Sequence, residues 1–323
     1  MVLPKPDAVV IGAGVVGLTT GVCLAEAGLR VRIRAAAPPA QTTSAVAGAL
    51  IGSVFAAPGH PSGALVTGWE RTGVAEFTAL AANPDTGAHL GRGMLAARPA
   101  AVAGGTPPLD GVPQVRLCGS EELPAGFGFG FWATLPLVDM SRYLPYLTER
   151  FAAAGGEIRL RPVTTLVEAA EEAPLLANCT GVGARDLVPD PSVRPVRGQH
   201  VVVANPGLET FFLEAPLGSA WVAYLPHGDR VVLGGVAAED DWNTEPDPAT
   251  AAAILRRCAD VEPRLAHAEI LAHMAGLRPA RPTVRLEAVQ VGGVRCVHNY
   301  GHGGSGVALS WGTARAAADL LID

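Results

Sequence analysis

The chain has 323 residues, 49% hydrophobic and 17% charged, which is enough apolar material for two domains that share an interface. A net charge of −6 with no basic stripe argues against a nucleic-acid partner, and no apolar run reaches the ~18 residues of a membrane span. The five cysteines are odd in number and scattered, with no C-x-x-C spacing; this excludes a disulfide scaffold or zinc site and fits buried thiols in a reducing cytoplasm.

The opening MVLPKPDAVVI lacks the long apolar region and cleavage site of a signal peptide. Ala8 to Ile11 reads as a short buried strand. Val15 to Ala27 reads as a helix with Val16, Thr20 and Leu24 at helical spacing, stopped by Gly28. LRVRIR follows as a second strand, with Val31 and Ile33 alternating. Within this β-α-β unit, GAGVVG matches G-x-G-x-x-G. Gly12 allows the tight turn, Gly14 lets backbone approach a pyrophosphate, and Gly17 lets helix and strand pack closely. The unpaired N–H groups at the helix start favour a phosphate, so a dinucleotide is the expected ligand. The acidic residue that usually holds ribose hydroxyls ~20 positions further on is missing, and Arg34 with three alanines stands there. An arginine can accept a 2′-phosphate, so this position leaves FAD and NADP both open.

TTSAVAGALIGSVFAAPGHPSG is a small-residue segment, turn-rich after Phe55, and a helix is predicted around Val66 to Ala82. Arg98 to Glu122 carries several Gly and Pro residues and is expected to run over the surface. FGFGFWATLPLV reads as a strand. Asp139 or Ser141 then caps a helix to about Ala154, ended by Gly155 and Gly156, and EIRLRPV and PLLANCTG resume the strand pattern. From Val196 onward short strands alternate with turns, which predicts an antiparallel sheet; PDPATAAAILRRCADVEPRL supplies one helix within it. No internal repeat is present. Two sheet styles interleaved along one chain predict two domains built from non-contiguous segments.

The chain closes on HNYGHGGSGVALSWGTARAAADLL, where Gly301, Gly303, Gly304 and Gly306 precede an alanine-rich helix. Its positive end suits an electron-rich group such as the O2/N1 edge of a flavin, with a plain glycine-rich helix entry as the alternative. In AGLRPARPTVRLE, Arg278, Arg281 and Arg285 lie close together. The planar guanidinium grips carboxylate through two parallel hydrogen bonds, whereas a surface arginine would pair with Glu287 or Asp240. His227, His298 and His302 lack metal-ligand spacing; His298 and His302 read as structural, and no metal site is predicted.

Taken together, VVIGAGVVGL, TTSAVAGAL, NCTG, GLRPARPTVRLE and HNYGHGGSG resemble the D-amino-acid oxidase family of FAD-dependent amine oxidases, in order and over essentially the whole chain. The resemblance implies an α/β fold: a discontinuous Rossmann-like FAD-binding domain (1–55, 139–195, 272–323) and a mainly antiparallel-sheet substrate domain (56–138, 196–271). It implies oxidation of a D-amino acid by hydride transfer to flavin N5, giving 2-oxo acid, ammonia and H2O2. Its partners would be a small-molecule D-amino acid and O2, and a homodimer is compatible with it. Carried over by motif, Gly12, Ala13, Gly14, Val15, Val16 and Gly17 would lie on the FAD pyrophosphate. Thr42, Thr43, Ser44, Gly48, Ala49 and Leu50 would line the cofactor near the flavin. Val163, Thr180 and Gly181 would meet its adenosine half, and Gly303, Gly304, Ser305, Gly306 and Ala308 its pyrimidine edge. Arg278 and Tyr224 would bind the substrate carboxylate beside the flavin, and the Gly304 carbonyl the amine.

Three positions depart from the family. Arg34 or Ala36 replaces the acid after the second strand, Ala308 a hydroxyl near flavin O2, and Ala220 a second lid tyrosine. The rival functions are a flavin amine oxidase for D-aspartate, glycine or sarcosine, an NADP-dependent dehydrogenase suggested by Arg34, and a non-catalytic dinucleotide sensor.

Overall fold

Ala8–Ile11 forms strand β1, and all four of its residues are buried, as a continuous apolar run requires of a central parallel strand. The computed structural model describes residues 5–52, 63–102 and 114–323. In chain order β2 is Val31–Ala35, β3 Ala88–Ala97, β4 Arg116–Leu117, β5 Phe129–Val138, β6 Glu157–Leu160 and β7 Leu175–Asn178. Next come β8 (Arg194–Ala204), β9 (Phe211–Glu214), β10 (Ala220–His227) and β11 (Arg230–Val236). The last strands are β12 (Ala238–Glu239), β13 (Ile270–Ala280), β14 (Arg285–Val291) and β15 (Val294–Tyr300). The helices are α1 (Val15–Glu26), α2 (Ala64–Leu80), α3 (Met140–Ala153), α4 (Leu166–Ala170), α5 (Ala184–Leu187), α6 (Pro248–Val261) and α7 (Gly306–Ile322).

One sheet runs β14-β15-β7-β1-β2-β6. Its strands are parallel from β15 to β6, and β14 joins the edge antiparallel. Leu18, Val22 and Leu24 of α1 share a core with Phe151 of α3 and Trp311 of α7. The Trp311 indole also donates to the Tyr143 hydroxyl at 2.9 Å. The Asp139 carboxylate caps α3, accepting from the Ser141 amide at 3.0 Å, as the sequence suggests. The open ends of β1, β2 and β7 point to one crevice, the usual ligand position in a parallel sheet.

The other sheet runs β12-β8-β11-β10-β9-β3-β5-β4, with β13 paired to β8. It is antiparallel except where β3 meets β9. Helix α6 covers its outer face, packing Ile254 and Cys258 into a cluster with Val201, Val203 and Tyr224.

The observed sheets differ from the expected domain limits at two points. Strand β13 pairs with β8 down to Ala280↔Arg194, so the boundary expected at 272 falls inside a strand of the second sheet. Helix α2 packs on α7 and so belongs with the first layer, although 56–138 reads as part of the other domain. Strand β3 is unexpected from the sequence because Gly91 and Gly93 erase its alternation. Phe211 lies over Gly93, where an added Cβ would sit 2.2 Å from the ring. The turns expected after Phe55 and much of the Arg98–Glu122 surface stretch fall at 53–62 and 103–113, outside the described residues. Among the described residues, no helix is long and apolar enough to cross a membrane.

Candidate active site

A cavity of about 600 Å³ lies between the two sheets. The β1–α1 loop forms one end. Gly12 has φ +110°, and a Cβ there would stand 2.5 Å from the Cys179 carbonyl oxygen. A Cβ on Gly17 would stand 2.0 Å from the Gly12 carbonyl oxygen, so this glycine holds α1 tight against its own loop. Gly12, Ala13, Gly14, Val15 and Val16 line the cavity. Gly17 does not line it. Its part is the close packing of helix and strand, which corrects its expected place on the FAD pyrophosphate. The Val15 amide, at the helix start, donates to Ser44 Oγ at 2.9 Å.

The other carried-over cofactor positions converge on the same space: Thr42 to Ser44, Gly48 to Leu50, Val163, Thr180 and Gly181. At the opposite end, Gly303 to Gly306 and Ala308 place the start of α7 against it. Asn178 braces the middle. Its Oδ1 accepts from the Thr180 hydroxyl at 2.8 Å, and its amide donates to His298 Nδ1 at 3.2 Å. Burial, with Arg285 nearby, pushes the His298 pKa down to about 4, in keeping with a structural imidazole. His302 is structural too, its Nε2 3.3 Å from the Thr313 hydroxyl, although the residue also lines the cavity.

These residues fit FAD. The glycine cradle has room only for backbone, two helix starts face the cavity, and the buried Asn299 Oδ1 on its wall lacks a hydrogen-bond partner among the described residues. NADP does not fit the Arg34 position. The guanidinium of Arg34 is buried and donates to the carbonyls of Arg161 (2.9 Å) and Pro162 (2.7 Å) while pairing with Glu168 and Glu172. With four of its five N–H donors spent on protein and its charge already paired with two carboxylates, it is not available to a 2′-phosphate.

The second sheet supplies the other wall. Arg278 of β13 lies inside it, its Cζ 5.7 Å from the Trp221 ring centre and its Nη1 donating to the Val236 carbonyl at 3.0 Å. No carboxylate among the described residues pairs with it, and burial lowers its pKa to about 10. The guanidinium rests on Gly198 of β8, where a Cβ would come within 2.4 Å of it. Arg281 and Arg285 are engaged elsewhere. Arg281 bonds Asp190 (3.1 Å), and Arg285 bonds Glu287 (2.7 Å) and the Tyr300 hydroxyl (2.6 Å). Asp240, the other acid expected as a partner, pairs with Arg194 instead.

Tyr224 is not in the cavity, which corrects its expected role on the carboxylate. Side chains alternate along β10, so Trp221, Ala223 and Leu225 face inward while Tyr224 faces α6 and stacks on Phe212, ring centres 5.4 Å apart. Burial raises the pKa of its hydroxyl. The sequence reading also missed Gly198, His200 and Trp221. The glycine inside a strand pattern was an available signal for the first, and the period of two for the last.

Asp190 anchors the approach to the terminal glycine loop. It accepts from the Tyr300 hydroxyl at 2.9 Å, from Arg281 and from Ser192. Burial pushes its carboxyl pKa up, but the hydrogen bonds of Ser192 and Tyr300 outweigh that and pull it from 3.8 to about 2. Because the folded pKa is depressed, the stabilisation is present above about pH 4 and fades as pH falls towards 2. Asp190→Asn is expected to lose about 2 kcal/mol at pH 6. Melting curves of the two proteins should converge as pH falls from 6 to 2, and an unchanging gap would contradict the role given to this carboxylate.

The sequence profile of the FAD dependent oxidoreductase family matches residues 7–320. A D-amino-acid oxidase of Streptomyces coelicolor is 49% identical over 319 residues, 97% of this chain and 96% of that protein. One of Rubrobacter xylanophilus is 50% identical over 317 residues, 97% of this chain and 95% of that protein. The crystal structure of glycine oxidase from Geobacillus kaustophilus superposes with a TM-score of 0.81 at 19% identity, covering 98% of this chain and 94% of that one, and so shares its fold.

Proposed function

The chain belongs to the FAD-dependent oxidoreductase family that includes the D-amino-acid oxidases, and from that premise we propose that Arg278 is the substrate-carboxylate clamp of an enzyme that deaminates D-amino acids oxidatively. The observation that carries the assignment is a guanidinium with no acid partner among the described residues, buried in an otherwise largely apolar wall facing the glycine loops. A buried charge without a counter-ion is costly, and an incoming carboxylate relieves that cost through two parallel hydrogen bonds.

Gly12 to Val16, Thr42 to Ser44, Gly48 to Leu50, Val163, Thr180, Gly181 and Gly303 to Gly306 are the residues that would hold FAD. When bound, FAD supplies the two-electron acceptor and returns the electrons to O2 as H2O2. Leu50, Leu213, Trp221 and Leu225 make the substrate end apolar and exclude water. Moving an ammonium into such a site lowers its pKa by up to about 3–5 units, so the substrate amine leaves its proton with bulk water as it enters and needs no dedicated base. We assign the backbone carbonyl of Gly304, on the cavity wall, to hold that amine. The imino acid then takes up water, and the products are 2-oxo acid and ammonia. Five free cysteines support a reducing cytoplasm as the compartment.

The test is the visible flavin spectrum of purified holoenzyme under anaerobic conditions. D-Alanine should bleach it and L-alanine should not, and air should restore the colour with release of peroxide. Colour that persists with every neutral D-amino acid would overturn the reading.

A further inference from the structure

Among the described residues, His200 of β8 is the one ionisable side chain besides Arg278 that the second sheet contributes to the cavity wall. Its Nδ1–H donates to the Val46 carbonyl at 2.8 Å, which leaves Nε2 with a lone pair and no hydrogen-bond partner among the described residues. Two glycines seat the ring. A Cβ on Gly234 would stand 3.2 Å from its Cδ2 and 3.3 Å from its Nε2, and one on Gly48 would stand 3.5 Å from its Cε1. Leu225 and Val232 are the apolar neighbours at Gly48. Burial, and after it the positive charge of Arg278, lower the imidazole pKa to about 4, so the ring is neutral at ordinary pH.

Gly198 and His200 are two residues apart on β8 and face the same side, about 7 Å from each other. The Arg278 guanidinium rests on Gly198. A carboxylate held by Arg278 therefore sits one strand repeat from the imidazole, a separation that a single amino acid bridges from its carboxylate to a substituent on its β carbon. We propose that His200 is a specificity-determining residue whose Nε2 accepts a hydrogen bond from a donor on the substrate β carbon. This oxidase then favours small D-amino acids with a hydroxyl or amide N–H over what an all-apolar pocket would choose, and it presents a lone pair, not a charge, to an acidic side chain. The inference rests on the carboxylate-clamp reading above.

The experiment compares isosteric pairs on the holoenzyme: D-serine against D-2-aminobutyrate, and D-threonine against D-valine. His200→Leu removes the acceptor. His200→Asn keeps an N–H for the Val46 carbonyl while its Oδ1 stands near the position of the ring's Cδ2, so it withdraws the acceptor from the Nε2 position and controls for a folding defect. In both variants the kcat/KM ratio of hydroxyl to methyl substrate should fall about tenfold, with D-2-aminobutyrate and D-valine still oxidised. A readout independent of turnover is calorimetric binding of 3-hydroxypropanoate against butanoate, whose Kd ratio should shift by the same factor. An unchanged ratio with active variants overturns the proposal and leaves the clamp reading intact. A uniform loss for all four substrates also overturns it, because the imidazole then serves the backbone of the amino acid. Wild-type holoenzyme inert to all four would instead remove the clamp reading.

Discussion

Arg278→Ala is expected to lower kcat/KM for D-alanine roughly a thousandfold, mainly through KM, while the protein stays folded and yellow. The reasoning starts from the guanidinium's surroundings. Its described contacts are one carbonyl, that of Val236, and the face of Trp221, so most of its hydrogen-bonding capacity is unspent. A carboxylate that pairs with it inside a low-dielectric wall gains what a buried ion pair loses when one partner is removed, about 4 kcal/mol. That energy corresponds to a factor of about a thousand in kcat/KM. Arg278→Lys should recover only a small part, since an ammonium cannot make the two parallel bonds. Stability should move the other way. Arg278→Met removes an uncompensated buried charge and fills its space with a side chain of similar reach, so its Tm should rise as activity disappears. A KM for D-alanine unchanged in Arg278→Ala, with flavin retained, would show that the carboxylate binds elsewhere.

What was legible in the sequence follows from how local each signal is. The β1–α1–β2 unit is written into a few dozen consecutive residues, where glycine spacing, helical period and strand alternation all agree, and the observed elements fall where those signals put them. The terminal loop is legible for the same reason. The substrate wall is not, because it is assembled by pairing strands far apart in sequence. Nothing near Arg278 announces Gly198, eighty positions earlier, yet Gly276↔Gly198 is the register that lays the side chain over that glycine. Tyr224 shows a different failure. The family resemblance assigned it to the substrate carboxylate, but alternation along β10 commits it to the α6 face once Trp221 and Leu225 point inward. Arg34 was ambiguous because its partners, Glu168 and Glu172, come from a helix and turn more than 130 residues away.

Gly198→Ala tests that long-range assembly with a single methyl group. The added Cβ would lie 2.4 to 2.5 Å from three atoms of the Arg278 guanidinium, so one of the two must move. The strand is held. On either side of Gly198, Arg197 donates to the carbonyls of Asn243 (2.9 Å) and Glu245 (2.7 Å), and Gln199 donates to the carbonyl of Asp247 (2.8 Å). The guanidinium is the loose end of a long side chain, so it is the part that yields. Folding should therefore be nearly unaffected, and replacing a strand glycine should add stability of roughly 0.5–1 kcal/mol. Catalysis should suffer, since a clamp displaced by about 1 Å costs on the order of a hundredfold in kcat/KM. Gly276→Ala, on the paired strand, is the control. Its Cβ meets Val46 and Thr43 at 3.4 to 3.5 Å, ordinary contact, so its KM should stay close to wild type. Steady-state kinetics on the two alanine variants with flavin content matched separate the cases. Equal KM values would mean that Gly198 gives the guanidinium nothing and that its absent side chain reflects strand packing alone.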